Sequence, residues 1–83
     1  MDQLARTPKD IGHATREARK GQNLTQKDLA MKSGLWQETV SKIENGVSST
    51  KLETLFDLLA ALDLEIQIKP RSKGSINDLG DIF

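Results

Sequence analysis

The sequence predicts an all-α domain of four helices with one short C-terminal strand that pairs across a dimer. Three observations predict it. Four stretches between Thr7 and Leu62 carry helix-capping signals or apolar side chains at helical spacing, one stretch at 64–69 alternates apolar and polar, and no cysteine is present to staple another architecture. With 83 residues the chain makes one domain and its flanks. A chain of this size buries only about 60 to 70 % of its unfolded surface on folding, so self-association is the expected supplement to a thin core.

The first helix begins at Thr7-Pro8-Lys9-Asp10, with a hydroxyl at the N-cap, proline where its missing N–H is harmless, and a carboxylate near the positive helix end. Ile11, Ala14 and Ala18 follow at helical spacing, and Lys20-Gly21 supplies a cationic last turn and a terminal glycine, so the helix is expected over about residues 8–20. Gly12 sits inside it at a propensity cost of about 1 kcal/mol, which points to close helix packing. In the second helix, 26–33, Thr25 and Asp28 form a capping box while Leu24 and Leu29 form a hydrophobic staple, and Gly34 ends it. The third runs over 37–45 and stops at Gly46. The fourth, 51–62, is expected to start from a Thr50–Glu53 capping box and to carry Leu52, Leu55, Phe56, Leu59 and Leu62 as the broadest apolar stripe.

Leu64-Glu-Ile66-Gln-Ile68-Lys has the period of a strand and ends at Pro70. A lone strand leaves its backbone groups unpaired, so Leu64, Ile66 and Ile68 are expected to form the dimer contact, antiparallel across a two-fold axis. The chain thus divides into an N-terminal arm (1–6), a domain (7–69) and a flexible tail (70–83). Within the tail, Ile76, Leu79, Ile82 and Phe83 recur at spacings of three and four. They suit either an anchor that folds on a protein partner or a frayed end.

Composition excludes several chemistries. Without cysteine and with His13 alone, neither a disulfide framework, a thiol nucleophile nor a zinc site is expected, and no cofactor or enzymatic activity is foreseen. No segment has the length and hydropathy of a membrane span or the apolar centre of a signal peptide, so a soluble, cytoplasmic protein is expected. Twelve basic side chains balance twelve acidic ones. Their distribution is uneven: residues 1–51 hold nine basic and six acidic groups (+3), and residues 52–83 hold three basic and six acidic (−3).

The functional signal lies in the second and third helices. At about 100° per residue, Gln37, Ser41, Asn45, Glu38 and Lys42 share an arc of about 140°, opposite Val40 and Ile43. Two short helices joined by Gly34-Leu35-Trp36, the second with a polar face, form a helix-turn-helix. A helix in the major groove offers Gln and Asn to adenine, Lys to guanine or phosphate, and Ser or Thr to either. Gln26, at the first position of the second helix with Lys27 beside it, is placed to reach a phosphate. A merely solvated helix face is the alternative for this stripe.

Leu24-Thr-Gln-Lys-Asp-Leu-Ala, then Gly34-Leu-Trp-Gln-Glu-Thr-Val-Ser-Lys-Ile-Glu-Asn-Gly46, then Leu52-Glu-Thr-Leu resembles the Xre (Cro/C1-type) helix-turn-helix family over about residues 8–62. With four lambda-repressor-like helices, one strand and a polar tail, the chain looks most like HipB-type antitoxins. That resemblance implies a dimeric repressor of its own operon on palindromic operator DNA, which also binds and neutralises a HipA-type serine/threonine kinase toxin. Carried to matching positions, it implies that Gln37 reads a base edge supported by Gln26, that Ser41 and Lys42 meet base or backbone, and that Thr39 meets a phosphate. Trp36 departs from the pattern, since it supplies no capping oxygen; its indole either lies against a thymine methyl or sugar or packs on the turn. Glu38 also departs from it, and either accepts from cytosine N4 or repels phosphate. Two other functions fit the same residues: a stand-alone phage or metabolic repressor without a toxin, and a protein-interaction module with an idle DNA surface.

Overall fold

The computed structural model describes residues 3–71, and residues 1–2 and 72–83 lie outside that range. Four helices follow in order, α1 (Pro8–Gly21), α2 (Gln26–Ser33), α3 (Gln37–Glu44) and α4 (Leu52–Ala61). The principal packings are α1 on α3, α2 on α3, and α2 on α4. Leu29, Ala30, Val40, Ile43, Leu58 and Leu62 form the buried cluster, flanked by Ile11, Ala18, Leu24, Leu35, Leu55 and Ala61. Burying each of the large aliphatic side chains contributes about 1.5 to 3 kcal/mol.

Local chemistry sets the first two helices. Asp10 N–H donates to Thr7 Oγ1 at 3.1 Å and Arg6 N–H to Asp10 Oδ2 at 2.8 Å, which fixes the start of α1. At α2 the capping box closes in both directions: Asp28 N–H donates to Thr25 Oγ1 at 2.9 Å, and Thr25 N–H to Asp28 Oδ2 at 2.9 Å. Leu24 packs against the cluster that contains Leu29, as a staple requires. Gly34 ends α2 with φ +76°, a left-handed conformation open to glycine at little cost.

Several boundaries differ from those expected. α1 runs through Gly21, and the left-handed turn falls on Asn23 (φ +60°), whose short polar side chain tolerates it. α3 ends at Glu44, with Asn45 as C-cap. The Thr50–Glu53 capping box does not form. Lys51 is the N-cap of α4, and Thr50 Oγ1 donates instead to Val47 O at 3.3 Å within the preceding turn. The expected stripe of α4 is also displaced. Leu58 and Leu62 are fully buried, Leu55 and Leu59 flank them, and Leu52 (66 %) and Phe56 (48 %) are exposed, so the inner face is turned by about 50°. Apolar residues cover more than half the circumference of α4, so periodicity leaves its orientation open and the contact with α2 decides it.

Residues 64–69 form neither helix nor strand, and no backbone hydrogen bond pairs 65–69 with a described residue. Leu64 and Ile66 are partly exposed and Ile68 is 96 % exposed. Ile76, Leu79, Ile82 and Phe83 lie outside the described residues.

Gly12 has the structural reason its position implies. A Cβ there would stand 2.5 Å from Ile43 O and 2.6 Å from Glu44 O, so only glycine lets α1 lie on the C-terminal turn of α3. Gly12→Ala is expected to lower stability by about 1 to 3 kcal/mol in chemical denaturation, despite alanine's better helix propensity, because the obstructing atoms are backbone. The caps carry a pH signature. Backbone N–H donation, from Arg6 to Asp10 and from Thr25 to Asp28, holds both carboxyls below their ordinary value of 3.8. Groups whose folded pKa is lowered add stability that is complete above the unfolded value and is lost as pH falls through the folded one. The Arg6 and Thr25 amide resonances, which report the bonds to the Asp10 and Asp28 carboxylates, are therefore expected to hold their positions until the pH falls below the ordinary carboxyl value of 3.8 and to move only in stronger acid.

Candidate nucleic-acid interface

The polar face of α3 is built from its two ends. Its N-cap, Trp36, adopts an extended backbone and makes no side-chain cap hydrogen bond. Its C-terminal turn is held firmly. Arg19, from α1, donates from Nε to Glu44 Oε2 at 2.7 Å and from Nη2 to Glu44 Oε1 at 3.1 Å, a two-pronged ion pair with both residues buried. Arg19 Nη1 also donates to Leu24 O at 2.8 Å, just before α2. Gln26, the first residue of α2, donates from Nε2 to Glu44 Oε1 at 3.1 Å. One carboxylate thus joins α1, the start of α2 and the end of α3. Guanidinium and carboxylate match geometrically, and the low local dielectric strengthens each bond in such a network.

Around this anchor, Gln26, Gln37, Glu38, Ser41 and Lys42 line one open depression of about 490 Å³. Gln37, Glu38 and Lys42 are exposed, whereas Gln26 and Ser41 are half-buried. The other candidates stand apart from it. Asn45 is exposed at the end of α3 and makes a long contact, Nδ2 to Ser41 Oγ at 3.4 Å; Thr39 is half-buried; Lys27 is exposed on α2. Trp36 does not pack on the turn. Its indole is 81 % exposed, because an N-cap residue points away from the helix it opens and no apolar neighbour covers it. The depression holds amide, hydroxyl, ammonium and carboxylate groups within one surface, a set able to hydrogen-bond both base edges and phosphates.

The Arg19–Glu44 pair was not anticipated from residue types, although spacing held a signal for half of it. Val40, Ile43 and Glu44 stand at i, i+3 and i+4, which places Glu44 on the apolar side of α3, and a buried carboxylate demands a cation. Among the described residues no group of three or more His, Cys, Asp or Glu side chains is arranged to hold a metal, and no helix is long and apolar enough to cross a membrane.

The fold and this face define a DNA-binding helix-turn-helix protein, and comparison with known proteins agrees. The Helix-turn-helix family model, HTH_3, matches residues 16–69. The chain is 34 % identical over 62 residues to antitoxin HipB of Escherichia coli (strain K12), covering 75 % of this chain and 70 % of that protein. It is 38 % identical over 68 residues to an uncharacterized HTH-type transcriptional regulator, y4dL, of Sinorhizobium fredii; the match takes in 82 % of this chain but 35 % of the relative, so the chain spans about a third of that protein. Among solved structures, the HipB-O4 20mer complex superposes with a TM-score of 0.79 at 31 % identity, over 86 % of this chain and 100 % of the other. The HipA-HipB-O2-O3 complex gives 0.78 at 31 %, with the same coverage. The chain belongs to the Xre-type helix-turn-helix family of DNA-binding transcriptional regulators, related to the HipB antitoxins. That family is not a class of enzymes.

Proposed function

We propose that this protein is a cytoplasmic repressor and antitoxin that binds a palindromic operator as a homodimer, autoregulates its operon and neutralises a HipA-type serine/threonine kinase. The observation that carries the DNA part is the depression in which Gln26, Gln37, Glu38, Ser41 and Lys42 come together on α2 and α3. In this reading α3 enters the major groove, Gln37 reads a base edge, Ser41, Lys42 and Asn45 meet bases or backbone, and Thr39, Gln26 and Lys27 lie toward phosphates. Glu38 sets sequence preference, and the exposed Trp36 indole lies on the groove wall.

Exposed Leu52, Phe56, Ile66 and Ile68 support the homodimer, since a monomer would leave them in water. We assign 1–6 to an arm, 7–69 to the DNA-binding and dimerisation domain, and 70–83 to a tail in which Ile76, Leu79, Ile82 and Phe83 contact the toxin. Likeness to HipB in a HipA-HipB complex supports that partner. A second reading, a repressor without a toxin, fits the resemblance to y4dL, a relative named only as a transcriptional regulator.

Mobility shift on the promoter upstream of the gene, combined with co-purification of the neighbouring gene product, tests the two parts separately. If six to ten phosphates are met, affinity is expected to fall about 10³- to 10⁵-fold between about 50 and 200 mM salt. Emission from the single tryptophan is expected to change on binding. A salt-independent affinity excludes DNA as the partner, and an unchanged emission with bound DNA takes Trp36 off the interface. Ile66→Pro is expected to leave a monomer by sedimentation, because proline removes a ladder donor; a persisting dimer refutes strand pairing.

A further inference from the structure

Trp36 is the largest apolar side chain in the protein, and the fold makes no use of it. Its indole is 81 % exposed, makes no cap bond and has no hydrogen-bond partner among the described residues. A buried aromatic ring withdraws about 150 to 250 Å² from water, so leaving this one outside forgoes a large contribution to a thin core. Its neighbours place it. Leu35 packs against the buried cluster and donates its N–H to Ala30 O at 3.1 Å, while Trp36 O accepts from Thr39 N–H at 3.0 Å and from Val40 N–H at 3.1 Å. With Leu35 turned inward and Trp36 extended (φ −76°, ψ 147°), the indole projects outward at the leading end of α3, next to the exposed Gln37.

Helices that read the major groove reach base edges with their N-terminal residues. Those edges present hydrogen-bond donors and acceptors, and the C5-methyl of thymine is the one apolar group among them. We infer that Trp36 is a specificity-determining residue whose indole takes the C5-methyl group of a pyrimidine on the wall of the major groove. The depression beside it reads by hydrogen bonds, and Trp36 adds a contact that polar side chains cannot supply. Deoxyribose carbons flank every base alike and confer no preference, whereas the methyl group does. Thymine carries that group in ordinary DNA, and 5-methylcytosine carries it in modified DNA. This inference rests on the DNA-binding reading above.

Uracil differs from thymine by that methyl group alone. Operator duplexes with uracil in place of each thymine in turn are titrated with wild type and with Trp36→Ala, a substitution that the exposed position lets the fold accept. Uracil at one position of a half-site is expected to lower wild-type affinity about fourfold, equivalent to about 0.8 kcal/mol for one buried methyl-sized group, and to leave Trp36→Ala unaffected. A second series places 5-methylcytosine at each cytosine. A loss with uracil assigns the methyl group to thymine, and a gain with 5-methylcytosine on a flat uracil scan assigns it to methylated cytosine. Two flat scans put the indole on sugar or phosphate and overturn the inference, as does a uracil penalty that persists in Trp36→Ala. A Trp36→Ala variant that binds every duplex as the wild type does, yet no longer co-purifies with the neighbouring gene product, gives the indole to a protein partner and also overturns it. A wild type that binds no operator overturns the DNA reading itself, a result distinct from all of these.

Discussion

The buried pair between Arg19 and Glu44 is the constraint on which the rest of this structure depends. Guanidinium and carboxylate are costly to dehydrate, and they are tolerated inside a core only when each finds its partner in good geometry. Here the geometry is two-pronged, and the spare Arg19 donor closes on Leu24 O. The pair therefore does what an apolar contact of equal volume does not: it is satisfied at one relative placement of α1, the start of α2 and the end of α3, and penalised at others. Gly12 makes that placement reachable, since the backbone of α1 must touch the carbonyls of Ile43 and Glu44 before Arg19 can span the gap.

A thin core also explains why polar groups carry so much of the fixing. Six residues make the buried cluster, and α1 contributes to the interior chiefly through Gly12, Thr15 and Arg19 rather than through large aliphatic side chains. Thr15 satisfies its own hydroxyl by donating to Ile11 O at 2.8 Å, and Gln22 Nε2 donates to Leu62 O at 2.9 Å, which ties the end of α1 to the end of α4. These bonds add modest net energy each but narrow the set of packings available.

Most of what depended on neighbours in sequence was legible there. Thr7, Thr25, Asp28 and Gly34 act locally, so α1 and α2 start and stop close to where their chemistry directs, and the Gln37–Ser41 face of α3 followed from angle alone. One local feature was misread, since Thr50 looks like a cap while its hydroxyl instead donates to Val47 O three positions back. Features that depend on a distant contact were not legible: Leu52 and Phe56 look internal until α2 selects the Leu58 side of α4. Arg19 and Glu44 lie 25 positions apart, and nothing local links a charged residue of α1 to one of α3. In the candidate site, the residue types were legible and the bond that orients Gln26 was not.

The two ends of α3 are treated unequally, and this shapes how the helix moves. Trp36 offers no oxygen to the first N–H groups, whereas the last turn is clamped by Glu44 and followed by Gly46, which takes a left-handed φ of +77° and whose lack of a Cβ leaves room for Lys9 of α1. Fluctuations should therefore be graded along eight residues, with amide hydrogen exchange fastest near Gln37 and slowest near Ile43. A helix pinned at its far end and loose at its leading end can adjust its entry into a groove by small rotations about the clamp.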